Sequence, residues 1–136
     1  MKRRVLIIDD DAGVRLTVHH ILTTAGYEVC SIQDGKLALD AFRNFEPEVV
    51  VTDLVMPGLD GTDIIALLKE ERSATKIVAM SGGARLGLAN ILQLARDAGA
   101  DAILPKPFTV DQLKAILADV AGPSPAHAKT SMAALK

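Results

Sequence analysis

Five residues of this chain pair a reactive type with a place where chemistry is commonly done: Asp9, Asp10, Asp53, Ser81 and Lys106. Each follows directly on a short apolar run, VLII before the acidic pair, VVVT before Asp53, IVAM before Ser81 and AILP before Lys106. Three carboxylates brought within several ångströms would repel, each pair by about 1 kcal/mol at about 4 Å in water and about four times that near a protein surface. A divalent cation together with Lys106 would set three positive charges against three negative. Only oxygen ligands are on offer. With one cysteine and no histidine near a strand end, zinc and copper are disfavoured, whereas hard Mg²⁺, with Mn²⁺ as the alternative, suits carboxylates, a backbone carbonyl and waters. Mg²⁺ held in this way usually serves a phosphoryl group. Ser81 and Lys106 are donors for phosphoryl oxygens, and Asp53 is the carboxylate that could act as nucleophile, giving an aspartyl phosphate.

Such a cluster needs a scaffold that brings these positions to one rim, and the hydrophobic pattern supplies it. Val5 to Ile8, Glu28 to Ile32, Val49 to Asp53, Lys76 to Met80 and Ala102 to Leu104 read as five strands. The third is continuous and β-branched, as expected of a strand covered on both faces. Helical stripes fall between them: Val14, Val18, Ile21, Leu22 and Ala25; Ala38, Ala41, Phe42 and Phe45; Ile64, Ile65, Leu67 and Leu68; Leu88, Ile91, Leu92, Ala95 and Ala98. The last helix starts at Thr109, which forms a capping box with Gln112, and carries Leu113, Ile116, Leu117 and Val120. Gly26 and Gly99 close helices, Asp34 caps one, and Pro57 with Gly58 marks the turn after Asp53. Strands alternating with helices imply an α/β fold with a parallel sheet, in which ligands bind outside the carboxyl ends of the strands. Four of the five ends carry a reactive side chain.

Composition narrows the function classes. The 136 residues fit one domain, 1–121, followed by a proline- and alanine-containing tail or linker, 122–136. A net charge of −2, with no basic run beyond Lys2, Arg3 and Arg4, gives no electrostatic footprint for direct nucleic-acid binding. No membrane span is expected. Cys30 is read as a buried structural thiol, and the cytoplasm is the expected compartment. Asp11 reads as a helix cap; His19, His20 and His127 read as surface histidines without a role. Leu86 and Leu94 fall off the stripe of the fourth helix and could form a partner surface with Ile103.

From about Arg4 to Val120 the chain closely resembles the receiver domain of bacterial two-component response regulators. The likeness rests on IIDDD with Asp9 and Asp10, TDLVMPGLDG with Asp53, Ser81 as a switch hydroxyl, and KPF with Lys106. It implies a flavodoxin-like (βα)5 doubly wound sandwich, a five-stranded parallel sheet of strand order 2-1-3-4-5, with Asp9, Asp10 and Asp53 at the switch between strands one and three. It also implies that Asp53 takes a phosphoryl group from a phosphohistidine of a sensor histidine kinase or histidine phosphotransfer protein. Asp10 and Asp53 would bind Mg²⁺ directly with the backbone carbonyl of Val55, Asp9 would act mainly through water, and Ser81 and Lys106 would be drawn to the phosphoryl oxygens. The Lys106–Pro107 peptide would be cis. The domain would be a phosphoacceptor rather than an enzyme with an external substrate, a monomer or a phosphorylation-dependent dimer. No helix-turn-helix or catalytic pattern follows Gly122, so output is expected through a downstream partner or an output domain outside this chain.

Two departures from the family pattern stand out. Ile103 occupies the position, three before the lysine, where an aromatic switch ring is frequent. Ser81 is followed by Gly82, Gly83 and a longer loop, expected to be mobile before phosphorylation. The resemblance puts Val55 and Gly83 at positions whose side chains in that family help or block the hydrolytic water; neither can orient water, which predicts a phosphoryl lifetime longer than in receivers with polar groups there. Two other readings compete. A haloacid-dehalogenase-type phosphohydrolase needs a second aspartate two residues after the nucleophile, and position 55 is valine. A pseudo-receiver, folded but never phosphorylated, would not require all the site residues to be present.

Overall fold

A computed structural model describes residues 2–56, 59–82 and 88–121, with 55–56, 59–61 and 88–92 described as backbone only. Strands β1 (Arg4–Ile8), β2 (Glu28–Ile32), β3 (Val49–Asp53), β4 (Lys76–Ser81) and β5 (Ala102–Pro105) alternate with helices α1 (Ala12–Thr24), α2 (Ala38–Phe45), α3 (Gly61–Glu71), α4 (Leu88–Ala98) and α5 (Val110–Ala121). All five strands are parallel, in the order 2-1-3-4-5. This is the flavodoxin-like doubly wound arrangement expected from the sequence. A short antiparallel pair, Val55–Met56 with Leu59–Asp60, follows β3 and was not legible in the pattern. Pro57 and Gly58, Gly83, Leu86, His127 and the 122–136 segment lie outside the described residues.

Successive strand residues point to opposite faces, and the core divides accordingly. Leu6, Ile8, Val50, Ile77 and Ala79 face Ala38 and Phe42 of α2, Ile64, Ile65 and Leu68 of α3 and Ala95 of α4. Val5, Ile7, Val49, Val51, Val78 and Met80 face Val18 and Leu22 of α1, Tyr27, and Leu113 and Leu117 of α5. All of β3 is buried. Each fully buried aliphatic side chain contributes about 1.5–3 kcal/mol, so the two layers hold the strand ends in fixed register.

The caps follow the sequence closely. Asp11 Oδ1 accepts from Val14 N at 3.1 Å and starts α1, while Gly26 follows the α1 C-terminus at φ 102°, a conformation that favours glycine. Thr109 N donates to Gln112 Oε1 at 2.8 Å and Gln112 N to Thr109 Oγ1 at 3.1 Å, the reciprocal box expected at α5. Three expectations change. Leu67 is 45% exposed rather than part of the α3 core stripe. Asp34 caps a 3-10 turn, Gly35–Leu37, that precedes α2, not α2 itself. Cys30 is half-buried on an edge strand, where desolvation pushes its thiol pKa up.

Candidate functional site

The order of strands reverses between β1 and β3, so their carboxyl ends diverge around a crevice. Asp9 and Asp10 follow β1 there and Asp53 ends β3. One carboxylate oxygen from each of the three lies within 4.8 Å of the others. Their environments differ. Asp9 is fully buried, Asp53 is 8% exposed and Asp10 is open to solvent.

Backbone bonds hold this rim. Leu54 N donates to Met80 O at 3.0 Å, which ties the residue after Asp53 to β4. Ser81, buried at the end of β4, pairs in register with Pro105, and its carbonyl accepts the Lys106 N–H at 2.7 Å. The Lys106–Pro107 peptide is cis, as the resemblance implied. From this anchor the Lys106 side chain reaches the acidic pocket, with Nζ 3.1 Å from Asp9 Oδ2 and 3.3 Å from Asp53 Oδ2. Burial alone would lower the lysine pKa, but the charge of Asp53 and the hydrogen bond and charge of Asp9 outweigh it, so the pKa is raised and the ammonium stays charged. In this arrangement the single Lys106 ammonium pairs with two of the three carboxylates. The sequence reading sets its charge against the three carboxylates and also offers it to phosphoryl oxygens.

The pocket fits a hard divalent cation. All its donors are oxygens, and ligands on opposite sides of one Mg²⁺ stand about 4.2 Å apart, close to the span of this cluster. Val55 opens the short strand two residues after Asp53, with its backbone described and its side chain not. The two described histidines stay outside the site: His19 Nδ1 lies 3.0 Å from Ser31 Oγ and His20 is exposed.

Two neighbours of the site have no role there in the sequence reading, which passes over Arg15 and reads Gly82 only as opening a loop. Arg15, one turn into α1, donates from Nη1 to the Asp9 carbonyl at 2.9 Å. Gly82 lies against the lysine stem, where an added Cβ would stand 3.1 Å from Lys106 Cδ. Only their nearness in sequence to Asp11 and Ser81 pointed to them.

A doubly wound parallel sheet with three carboxylates and a lysine at its switch point defines an acidic-pocket receiver of the flavodoxin-like class. Residues 5–118 match the response regulator receiver domain, and the chain belongs to that family of two-component signalling domains. It is 38% identical over 115 residues to Response regulator MprA of Mycobacterium sp. (strain KMS), covering 85% of this chain and 49% of that protein. It is 27% identical over 114 residues to Sporulation initiation phosphotransferase F of Bacillus subtilis (strain 168), covering 84% of this chain and 90% of that one. The chain thus spans about half the length of the mycobacterial relatives that it matches. Among solved structures, Vibrio cholerae chemotaxis protein CheY4 superposes with a TM-score of 0.81 at 28% identity, covering 88% of this chain and 99% of that one. Among the described residues no helix is long and apolar enough to cross a membrane.

Proposed function

We propose that Asp53 accepts a phosphoryl group from a phosphohistidine of a sensor kinase or histidine phosphotransfer protein, and that the aspartyl phosphate switches binding to a downstream partner or an output domain. One observation carries this reading: the Asp53 carboxylate sits in a crevice with Asp9, Asp10 and the Lys106 ammonium, an arrangement with a nucleophile, oxygen ligands for a metal and a cation for phosphoryl oxygens. An Asp53 oxygen attacks phosphorus, the bond from phosphorus to the imidazole nitrogen breaks, and the leaving imidazole keeps the electron pair and takes up a proton.

Mg²⁺, when bound, supplies positive charge to the phosphoryl oxygens as they move from donor to acceptor. Asp10 and Asp53, with the Val55 carbonyl, are the residues that would hold it, with Asp9 acting through water; Mn²⁺ would serve in its place. Phosphorylation raises the charge at Asp53 from −1 to about −2 and adds acceptor oxygens. Lys106 exchanges its Asp53 contact for one of those oxygens, and Ser81 offers a hydroxyl to another. Ile103, half-buried against the α2–α4 side of the core, stands where an aromatic switch ring would be, so the response runs through backbone movement around Ser81 rather than through a turning ring. The domain promotes its own phosphorylation without turning over an external substrate, as a cytoplasmic protein that is monomeric or dimerises when phosphorylated.

The test is incubation of the full chain with Mg²⁺ and acetyl phosphate, followed by intact-mass measurement. One added phosphoryl mass is expected, not formed when a chelator replaces Mg²⁺ and abolished by Asp53→Asn. No adduct on the wild-type chain would favour a pseudo-receiver, and steady release of phosphate from phosphoesters would favour a hydrolase.

A further inference from the structure

We propose that Arg15 is a positioning residue for the acidic pocket, acting on Asp10 through the backbone of Asp9. The inference rests on the metal-binding role proposed above for Asp10. Asp10 is exposed and has no ion pair among the described residues, so nothing grips its side chain. Both peptide groups that flank it are gripped. The carbonyl of the Asp9–Asp10 peptide accepts from Arg15 Nη1 at 2.9 Å, and the N–H of the Asp10–Asp11 peptide donates to Asp9 Oδ1 at 2.9 Å. Fixing the two peptide planes fixes the backbone angles of Asp10 and therefore the direction of its Cβ.

Asp9 is the hub of this clamp. Its N–H donates to Ile32 O at 3.2 Å, its carbonyl takes Arg15, Oδ1 takes the Asp11 amide and Oδ2 takes Lys106. Two of these partners come from regular elements, Ile32 of β2 and Arg15 in the first turn of α1, and Lys106 directly follows β5. Arg15 is the one cationic donor among the backbone partners, and a charge-assisted bond to a carbonyl holds more firmly than a neutral one. The stem of Arg15 leaves α1 one turn after the Asp11 cap, so helix and loop are joined at both ends: Asp11 Oδ1 to Val14 N, and Arg15 back to Asp9 O.

A purely electrostatic role for Arg15 predicts the opposite sign. As a cation beside a cation site it would repel Mg²⁺, and its removal would tighten metal binding. As a positioning residue it tightens binding, and its removal should weaken Mg²⁺ affinity about tenfold, the scale on which partners that orient metal ligands act.

The experiment titrates Mg²⁺ alone into the full-length wild-type chain, Arg15→Met, Arg15→Gln, Asp10→Asn and the Arg15→Met/Asp10→Asn double variant, following backbone amide shifts. Amide exchange of Asp11 is measured without metal. Weaker Mg²⁺ binding in Arg15→Met, with faster Asp11 exchange and no added loss when Asp10→Asn is already present, supports the proposal. Equal or tighter binding overturns it, as does a loss fully additive with Asp10→Asn. Arg15→Gln retains a neutral donor on a shorter stem and is expected to lie between wild type and Arg15→Met; should Arg15→Met not fold, the Mg²⁺ affinity of Arg15→Gln decides by the same signs. If wild type neither binds Mg²⁺ nor takes a phosphoryl group, the phosphoacceptor reading itself fails. If wild type does both and Arg15→Met binds Mg²⁺ as tightly, only the role of Arg15 fails.

Discussion

The Lys106 ammonium lies 3.3 Å from Asp53 Oδ2, and the same nitrogen also holds the buried Asp9 at 3.1 Å. One cation therefore serves two carboxylates, and the third, Asp10, repels both without a cation of its own among the described residues. One ammonium against three carboxylates leaves an excess of negative charge that a bound divalent cation would offset.

Asp10→Asn removes this repulsion and leaves both Lys106 contacts in place. In chelator the variant should be more stable than wild type, by on the order of 1 kcal/mol given the exposure of Asp10. In excess Mg²⁺ the order should reverse, because wild type gains binding free energy that the variant largely lacks. Urea midpoints under the two conditions measure both signs. A wild-type midpoint insensitive to Mg²⁺ would show that the pocket binds no metal.

Gly82 bears on the same lysine. A methyl group there would meet Lys106 Cδ at 3.1 Å, with Cβ and Cγ at 3.6 and 3.8 Å, so the stem has to yield by a few tenths of an ångström. The stem is flexible, so Gly82→Ala should destabilise the fold by only about 1 kcal/mol or less. Its larger effect is expected on phosphoryl uptake, slowed several-fold because the ammonium is displaced. Time courses of the mass adduct with acetyl phosphate measure this, and an unchanged rate would mean that the stem re-routes freely.

The α5 cap makes a plain stability prediction. Thr109→Ala removes the hydroxyl that accepts from Gln112 N at 3.1 Å and should cost about 1 kcal/mol. Gln112→Ala breaks only the returning bond to Thr109 N and should cost less. Chemical denaturation of the two variants checks the order, which would be wrong if Gln112→Ala were the more damaging.

Much of this was legible in the sequence because local chemistry and fold agree at those positions. Val49 to Asp53 reads as a doubly covered strand since every residue before the aspartate is β-branched, and the structure buries all five. Asp11, Gly26 and the Thr109–Gln112 box announce their helix ends through bonds only a few residues long. The resemblance then ordered the five ends into one rim. What escaped depends on tertiary placement. A leucine in an apolar stripe can still face solvent, as Leu67 does, because the width of the buried stripe is set by neighbouring helices. The bond from Arg15 back to Asp9 O, and the sharing of Lys106 by two carboxylates, are decided by side-chain reach, which spacing does not encode.

Tyr27 gives a pH-dependent test of the α1–α5 side of the core. It is the single tyrosine of a chain without tryptophan, and it is 4% exposed among Val18, Leu22 and their neighbours. Burial raises its phenol pKa above 10.0, and the weaker opposing pull of the Arg3 charge does not cancel that. The folded state thus binds the phenolic proton more tightly than the unfolded state does. That contribution is fully present below about pH 10 and is lost as pH rises through the folded pKa, where the unfolded chain gains from ionising first. The stability of wild type minus that of Tyr27→Phe should accordingly be constant at neutral pH and fall from about pH 10 upward. Tyrosinate absorbance, followed alongside unfolding, should appear later in the native protein than in urea. A difference between the two proteins that stays flat to about pH 12, or a native titration that coincides with the unfolded one, would mean that the phenol reaches water in the folded state.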